Sequence, residues 1–460
     1  NVAGIFNFDL FFKLLYKATG FSFSLVQLRI LRLVTYFAAA WALTGFWKNT
    51  SSEEKMNPEI FWISTLGLFA GYAFLPPTLS YNSLTVVSVC FWLYLVSKKQ
   101  KSTASYLLLG FILAALVYVK VTLAVVFFLL TMIFLFFQQK IRPIQVVLLV
   151  SPFLFLETSF HTLLGENAFS RLWEGIPLNI QRSGYQVGLM LKSMIVGGFW
   201  TGIMALLLFA VGYFKENKKM LHPAGKVVAA FIMLLVCYFT HITDEWNHLV
   251  LLFAASFLGY QLGTGSFKPA KTNPWVLFLL FLPFLLHLGS NVYWLRIGVY
   301  YLVFWMLAVV WIFKNFNLKL NTIISIIPVM LVFNGIWWHP FGHDKPLWSP
   351  KKEFKIGERQ SLLLDPELIE IVTQLQKFNT QKPQAQLVTA YRIPGLVWLM
   401  GSTQPFSPGI WEISQLNGLF EEKPRAMIYN KLQDLPPSWQ FRHKRELGVF
   451  RDDSFQLLWD

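Results

Sequence analysis

One stretch limits what this chain can fold into more than any other. Residues 103–138 read TASYLLLGFILAALVYVKVTLAVVFFLLTMIFLFFQ, nearly all apolar, with a lysine, Lys120, close to the middle. A bilayer core needs roughly 20 residues of helix, so the run is too long for one straight span and fits two shorter ones meeting near a membrane face. Lys120 then marks the junction. At the bilayer centre an ammonium costs on the order of 2.5–3.5 kcal/mol, whereas at a face it reaches water or a phosphate. Two readings follow: a snorkelling lysine at a helix end, or a basic contact for an anionic, lipid-linked substrate.

The rest of the chain agrees with this setting. Hydrophobic residues make up 55% of the 460 and charged ones 14%, which excludes an ordinary soluble protein. The net charge of +15 is carried mostly by short loops between apolar runs, so it answers to membrane topology and implies no nucleic-acid partner. Both cysteines, Cys90 and Cys237, lie inside apolar segments, which indicates neither a disulfide framework nor a metal cluster.

Apolar runs predict twelve spans, at about 27–47, 59–75, 79–97, 104–118, 120–137, 145–160, 190–214, 226–240, 248–262, 273–288, 296–314 and 322–338. Residues 1–26 carry Asp9, Lys13 and Lys17 among aromatic residues and read as an interfacial amphipathic segment. Lysines and arginines alternate between rich and poor loops: Lys98, Lys99, Lys101, Lys140 and Arg142 lie on one side, and the turns at 76–78 and 241–247 carry none. By the positive-inside rule, the poor side faces outward. That side holds Lys120, the loop 161–189, the segment HITDEWNH and everything after Trp338.

Near residue 339 the composition changes to charged residues, prolines and ordinary periodicity. The division is therefore a transmembrane domain over 1–338 and an extracytoplasmic α/β domain over 339–460. Within the latter, DPELIEIVTQLQKF (365–378) predicts a helix with Asp365 as N-cap and Pro366 at its first position. QAQLVTA, RAMIYN, RELGVF and FQLLWD read as strands, and IPGLVWLMG as a turn into a short helix.

Candidate chemistry gathers on the outward side. Lys120, Arg171 and Arg182 form a basic set suited to a phosphate or diphosphate, the arginines by their forks and the lysine as a point charge. Tyr81 and Asn82 after the PPTLS turn, and His161 and Glu166 in the long loop, complete the candidate substrate contacts. In HITDEWNH, His241, Asp244 and His248 would share one face of a continuous helix and, with Glu245, could hold a divalent cation; an interfacial helix end with ordinary polar groups is the competing reading. Asp9, Asp244 and Glu245 are the visible candidates for a catalytic carboxylate, with a solvated surface role as the alternative for Asp9. Arg29 and Arg32 read either as interfacial anchors or as contacts for lipid phosphate. His287 stands near a span end.

Three stretches carry a family resemblance. LLLGFILAALVYVKVTLAVVFFLL (107–130) with its YVKVT junction, LFFKLLYKATGFSFSLVQLRILRLVTY (10–36) with Arg29, and HITDEWNHLVLLFAASFLG resemble segments of the large polytopic glycosyltransferases that use polyprenyl-phosphate sugars, the protein mannosyltransferase and aminoarabinose-lipid A transferase group. The resemblance implies a GT-C fold in a bacterial inner membrane. The active site would face the periplasm, where a polyprenyl-phosphate-linked sugar is transferred by inverting displacement to a lipid, glycan or protein acceptor. It also implies an Asp-Glu pair in the first outer loop. Residues 1–26 do not show that pair, so either the principal carboxylate and a thirteenth span lie upstream of Asn1, or the chain departs from the family pattern and is not an active transferase. A membrane transporter or flippase of an anionic lipid-linked substrate and a noncatalytic envelope scaffold are the alternatives.

Overall fold

The computed structural model describes residues 6–51, 53–72, 78–138, 142–180, 187–217, 249–265, 273–289, 298–315, 321–338, 348–356, 360–381, 387–389, 426–430, 447–451 and 454–459, with a few single positions between them. It is a mostly helical membrane protein. Among the described residues four helices are long and apolar enough to cross a bilayer: Leu25–Thr50, Thr103–Phe137, Pro143–Leu164 and Gly198–Lys215. Three shorter apolar helices cover Tyr81–Val96, Pro274–His287 and Val299–Ile312. Chain contacts divide the molecule into two units, one of residues 25–154 and 186–337, the other of 1–24, 155–185 and 338–460.

The first unit is a helical core. Its elements are α2 (Leu25–Thr50), α3 (Pro58–Phe69), α4 (Tyr81–Val96), α5 (Thr103–Gln138), most of α6 (Pro143–Leu164), α8 (Val187–Asn217), α9 (Leu249–Gly263), α10 (Pro274–His287), α11 (Leu302–Asn315) and α12 (Asn321–Trp338). Starts follow local sequence signals. Asn57 and Asn273 cap α3 and α10 ahead of a proline at the first turn, and Ser80 with Ser83 forms a capping box at α4. Helix α11 is apolar all round, and Leu302 through Val310 are at most 2% exposed, as a helix must be when neighbours enclose it on every side.

Aromatic packing and close backbone approach join these helices. Trp92 of α4 donates from Nε1 to Thr131 Oγ1 of α5 at 2.8 Å, and Phe134 of α5 stacks on Trp275 of α10 at 5.0 Å. On α9, a Cβ placed on Gly259 would overlap the Ala205 carbonyl oxygen of α8, so only glycine permits that approach.

Helix α5 is not continuous. Lys120 sits in extended backbone (φ −159°, ψ 95°) between two helical runs, where the sequence predicts the junction of two spans. Such a residue cannot pass its backbone hydrogen bonds to the regular ladder, and helix breaks of this kind persist in membranes where protein surrounds them.

The second unit contains α1 (Asp9–Thr19), the end of α6, α7 (Ala168–Ile180) and the C-terminal elements. Helix α1 ends on Gly20 in the left-handed conformation (φ 70°), its N–H bonded to the Tyr16 carbonyl. The sequence does not single out the hairpin of β1 (Lys352–Ile356) and β2 (Gln360–Leu364). Helix α13 (Pro366–Gln381) starts at the predicted proline, and the Asp365 carbonyl accepts from Ile369 N at 3.1 Å. Strands β3 (Leu387–Thr389) and β4 (Ala426–Asn430) fall inside the predicted strand segments, and β5 (Leu447–Arg451) and β6 (Ser454–Trp459) overlap theirs, each extending one residue beyond, at Arg451 and Ser454. They form one sheet in sequence order, β3 parallel to β4 and the remaining pairs antiparallel. A parallel pair needs a long crossover, which the segment between residues 389 and 426 has the length to supply.

Candidate functional site

Several helix termini of the helical core meet around Lys120. Its side chain is folded inward, 7% exposed, and Nζ donates to the Leu286 carbonyl at 3.3 Å near the end of α10. The hydroxyl of Tyr301, in the 3-10 turn Gly298–Tyr301, donates to the same carbonyl at 3.4 Å. Tyr81, the first residue of α4, lies within electrostatic range of Tyr301. Gly289 has φ +81°, and a Cβ there would lie 2.9 Å from Thr122 Oγ1 and 3.5 Å from Lys120 Cε. The backbone after α10 therefore passes directly against the break in α5, and glycine is what lets it do so.

Beside this group stands His287, the last residue of α10, within electrostatic range of Lys120. The residue is 1% exposed, and neither ring nitrogen has a hydrogen-bond partner among the described residues. The helix break explains the geometry. Because Lys120 leaves the helical path, its side chain can reach the carbonyl end of α10 rather than run along its own helix.

A second buried cation belongs to the same end of the core. Arg32 of α2 is 0% exposed; it donates from Nη2 to the Tyr36 hydroxyl at 3.1 Å, and its guanidinium lies 4.5 Å from the Tyr72 ring centre. Tyr300 packs against the backbone at Gly71, the residue before Tyr72, and its neighbour Tyr301 shares the Leu286 carbonyl with Lys120. Arg29, one turn earlier, is exposed. The opposite ends of these helices form a different pocket of about 350 Å³, lined by Asn49, Thr50, Ser97, Lys99 and Asn273. There Asn49 and Asn273 donate to the Tyr94 and Thr50 carbonyls, so their amides already satisfy helix ends.

The second unit holds a charge cluster of another kind. Arg171 on α7 is 4% exposed, and its fork spans the Asp9 carboxylate at 2.7 and 3.1 Å. Its Nε donates to Glu166 Oε2 at 3.0 Å, and Nη1 reaches Asn7 Oδ1 at 3.4 Å. Lys13, one turn along α1 from Asp9, closes the set by donating to Glu166 Oε1 at 2.7 Å. Two cations thus face two carboxylates. Burial by itself would raise the Glu166 carboxyl, but Lys13 and Arg171 outweigh it and hold the group below the ordinary carboxylate range. Burial would likewise lower the Arg171 guanidinium, and Asp9 and Glu166 more than reverse it. Local sequence builds the frame: Asn167 caps α7 through Ser170 N, and Glu157 of α6 accepts from Ala168 N and Phe169 N at 3.0 and 3.2 Å.

Of the residues proposed from sequence, Lys120 and Tyr81 both lie in the helical core, whereas Asp9, Glu166 and Arg171 come together in the other unit. Asn82 follows Tyr81 on α4 and is half-buried, and His161 is exposed near the end of α6. Arg182, His241, Asp244, Glu245 and His248 lie outside the described residues, and with them the proposed cation site. Sequence reading gave His287 and Tyr301 no part in the Lys120 group. The available signal was positional: His287 is the polar end of an otherwise apolar helix, on the same side of the predicted topology as Lys120.

Comparison with known proteins gave no match to any family model, curated protein or solved structure.

Proposed function

We propose that this protein is a GT-C-type membrane glycosyltransferase whose Lys120 holds the phosphate of a polyprenyl-phosphate-linked sugar donor. One observation carries the reading: Lys120 is a buried ammonium whose hydrogen-bond partner, among the described residues, is a neutral carbonyl. An ammonium removed from water without a counter-charge is strongly unfavourable, and such residues inside membranes mark substrate pathways by default. An anionic headgroup supplies the missing charge, and a prenyl chain suits a site inside an apolar bundle. Arg32, at the same end of the core, adds a planar donor fork suited to phosphate oxygens.

In this reading the acceptor nucleophile attacks the anomeric carbon of the donor as the bond from that carbon to the phosphate oxygen breaks. Polyprenyl phosphate departs with the bonding electron pair. Lys120 stabilises the charge that grows on the leaving phosphate, an interaction stronger in the transition state than in the ground state. A carboxylate takes the acceptor's proton; Asp9 is committed to Arg171 and is not assigned that task. The proposed topology has about twelve spans, with the Lys120 end of the core and the residues after Trp338 facing outward, as the distribution of basic residues requires. Lipid, glycan and protein are the acceptor classes, and a divalent cation at His241, Asp244 and His248 remains part of the proposal.

The test is lipid binding and turnover in nanodiscs. Wild-type protein is expected to bind undecaprenyl phosphate but not neutral undecaprenol, and to release undecaprenyl phosphate from at least one of a panel of undecaprenyl-phosphate sugars. Lys120→Met should weaken that binding roughly 30-fold, the effect of losing one member of a buried charge pair. Equal binding of phosphate and alcohol, or an unchanged variant, would sink the reading. Ion or lipid flux across the bilayer without sugar transfer would favour the transporter.

A further inference from the structure

Resting on that reading, we infer that His287 is a second direct contact for the donor, its ring N–H donating to an anionic oxygen held by Lys120. The imidazole is 1% exposed at the end of α10, and both nitrogens lack a hydrogen-bond partner among the described residues. Buried side-chain nitrogens are satisfied in the large majority of cases, so a doubly unsatisfied ring calls for an explanation. It is no accident of a loosely packed surface: Leu282 and Leu286 on the same helix are fully buried.

Position supplies that explanation. Lys120 donates to the carbonyl of Leu286, the residue immediately before His287. A phosphate drawn to the ammonium therefore arrives beside the imidazole. A neutral imidazole always carries one N–H donor, whichever nitrogen bears the proton, and a phosphate oxygen accepts it. Lys120 contributes charge with little direction, whereas the fixed ring contributes direction. Together they distinguish a phosphate from a diffuse negative surface. Tyr301 is not an equivalent donor, because its hydroxyl is already given to the Leu286 carbonyl.

The same orphaned state separates a ligand contact from a packing residue. A histidine that holds the fold together is destabilising to remove. One kept for a ligand can be replaced by an apolar side chain of similar size with unchanged or raised stability, because an unsatisfied polar group leaves the interior. His287→Leu is therefore expected to melt at or above the wild-type temperature while binding undecaprenyl phosphate about tenfold more weakly. His287→Gln, which keeps an N–H donor, should recover most of that affinity. Binding of neutral undecaprenol should be the same in all three proteins.

Titration in nanodiscs decides the matter. Undecaprenyl phosphate bound by wild-type protein and bound equally by His287→Leu would overturn this inference and leave the Lys120 reading standing. A lower melting temperature in His287→Leu with unchanged lipid affinity would identify a packing histidine. Failure of wild-type protein to prefer undecaprenyl phosphate over undecaprenol would remove both proposals together.

Discussion

In the unit of residues 1–24, 155–185 and 338–460, the buried guanidinium of Arg171 meets two carboxylates; in the helical core, the buried ammonium of Lys120 meets a neutral carbonyl next to His287, whose ring has no hydrogen-bond partner among the described residues. The contrast shows what buried charge can be for. Arg171, Asp9, Glu166 and Lys13 answer one another, so their arrangement is complete within the chain and ties α1 to α7. Lys120 has no carboxylate partner among the described residues, and under the proposed function the bound donor supplies that charge. Both residues belonged to one basic set when read from sequence. Burial with a counter-charge and burial without one place them in different roles.

The largest effect that tests this contrast is on stability. Arg171→Gln should lower unfolding stability by about 2–3 kcal/mol, the scale of hydrogen bonds to charged groups, and should appear as a clear fall in the melting temperature in detergent. Lys120→Met is expected to match or exceed the wild-type melting temperature, because it removes a buried ammonium that has no carboxylate partner among the described residues. If the two variants exchange behaviour, the contrast is wrong.

A smaller effect is expected with pH. Glu166 is held below its ordinary value in the folded state, so its contribution is present above the unfolded carboxylate value of about 4.3 and is lost as pH falls through the depressed folded one. Melting curves between neutral and acid pH should show that loss. Glu166→Gln should remove its share, about 1 kcal/mol, and flatten the acid limb. An acid limb of the same steepness in both proteins would show that the cluster contributes nothing through Glu166.

The smallest effect belongs to the rim of the cluster. Lys13 and Asp9 are 38% and 45% exposed in their side chains, so Lys13→Ala should cost no more than about 0.5 kcal/mol and should shrink further in high salt. A loss as large as that of Arg171→Gln would mean that Lys13, and not the buried guanidinium, holds α1 to α7.

Much of the helical layout was open to reading because it rests on local properties. The apolar run with Lys120 inside announced both a helix too long for one span and the position of its break, since one strongly hydrated group in a long apolar stretch has few places to go. The starts of α3, α10 and α13 follow from Asn-Pro and Asp-Pro pairs, and β4, β5 and β6 from short alternating runs. The hairpin of β1 and β2 escaped notice because KEFKI and QSLLL are short and polar enough to pass for a linker, and only their pairing makes them strands.

What the amino-acid order determined by itself was the class of protein, the position of most helices and the point where α5 breaks, because hydropathy, capping and backbone preference act over a few neighbouring residues. Partnership was decided by the tertiary structure. What a buried cation meets depends on groups far along the chain, the Asp9 carboxylate 162 positions from Arg171 and the Leu286 carbonyl 166 from Lys120. No local pattern encodes that distance, and the isolated His287 at the end of an apolar helix acquires meaning only when the fold brings Lys120 beside it.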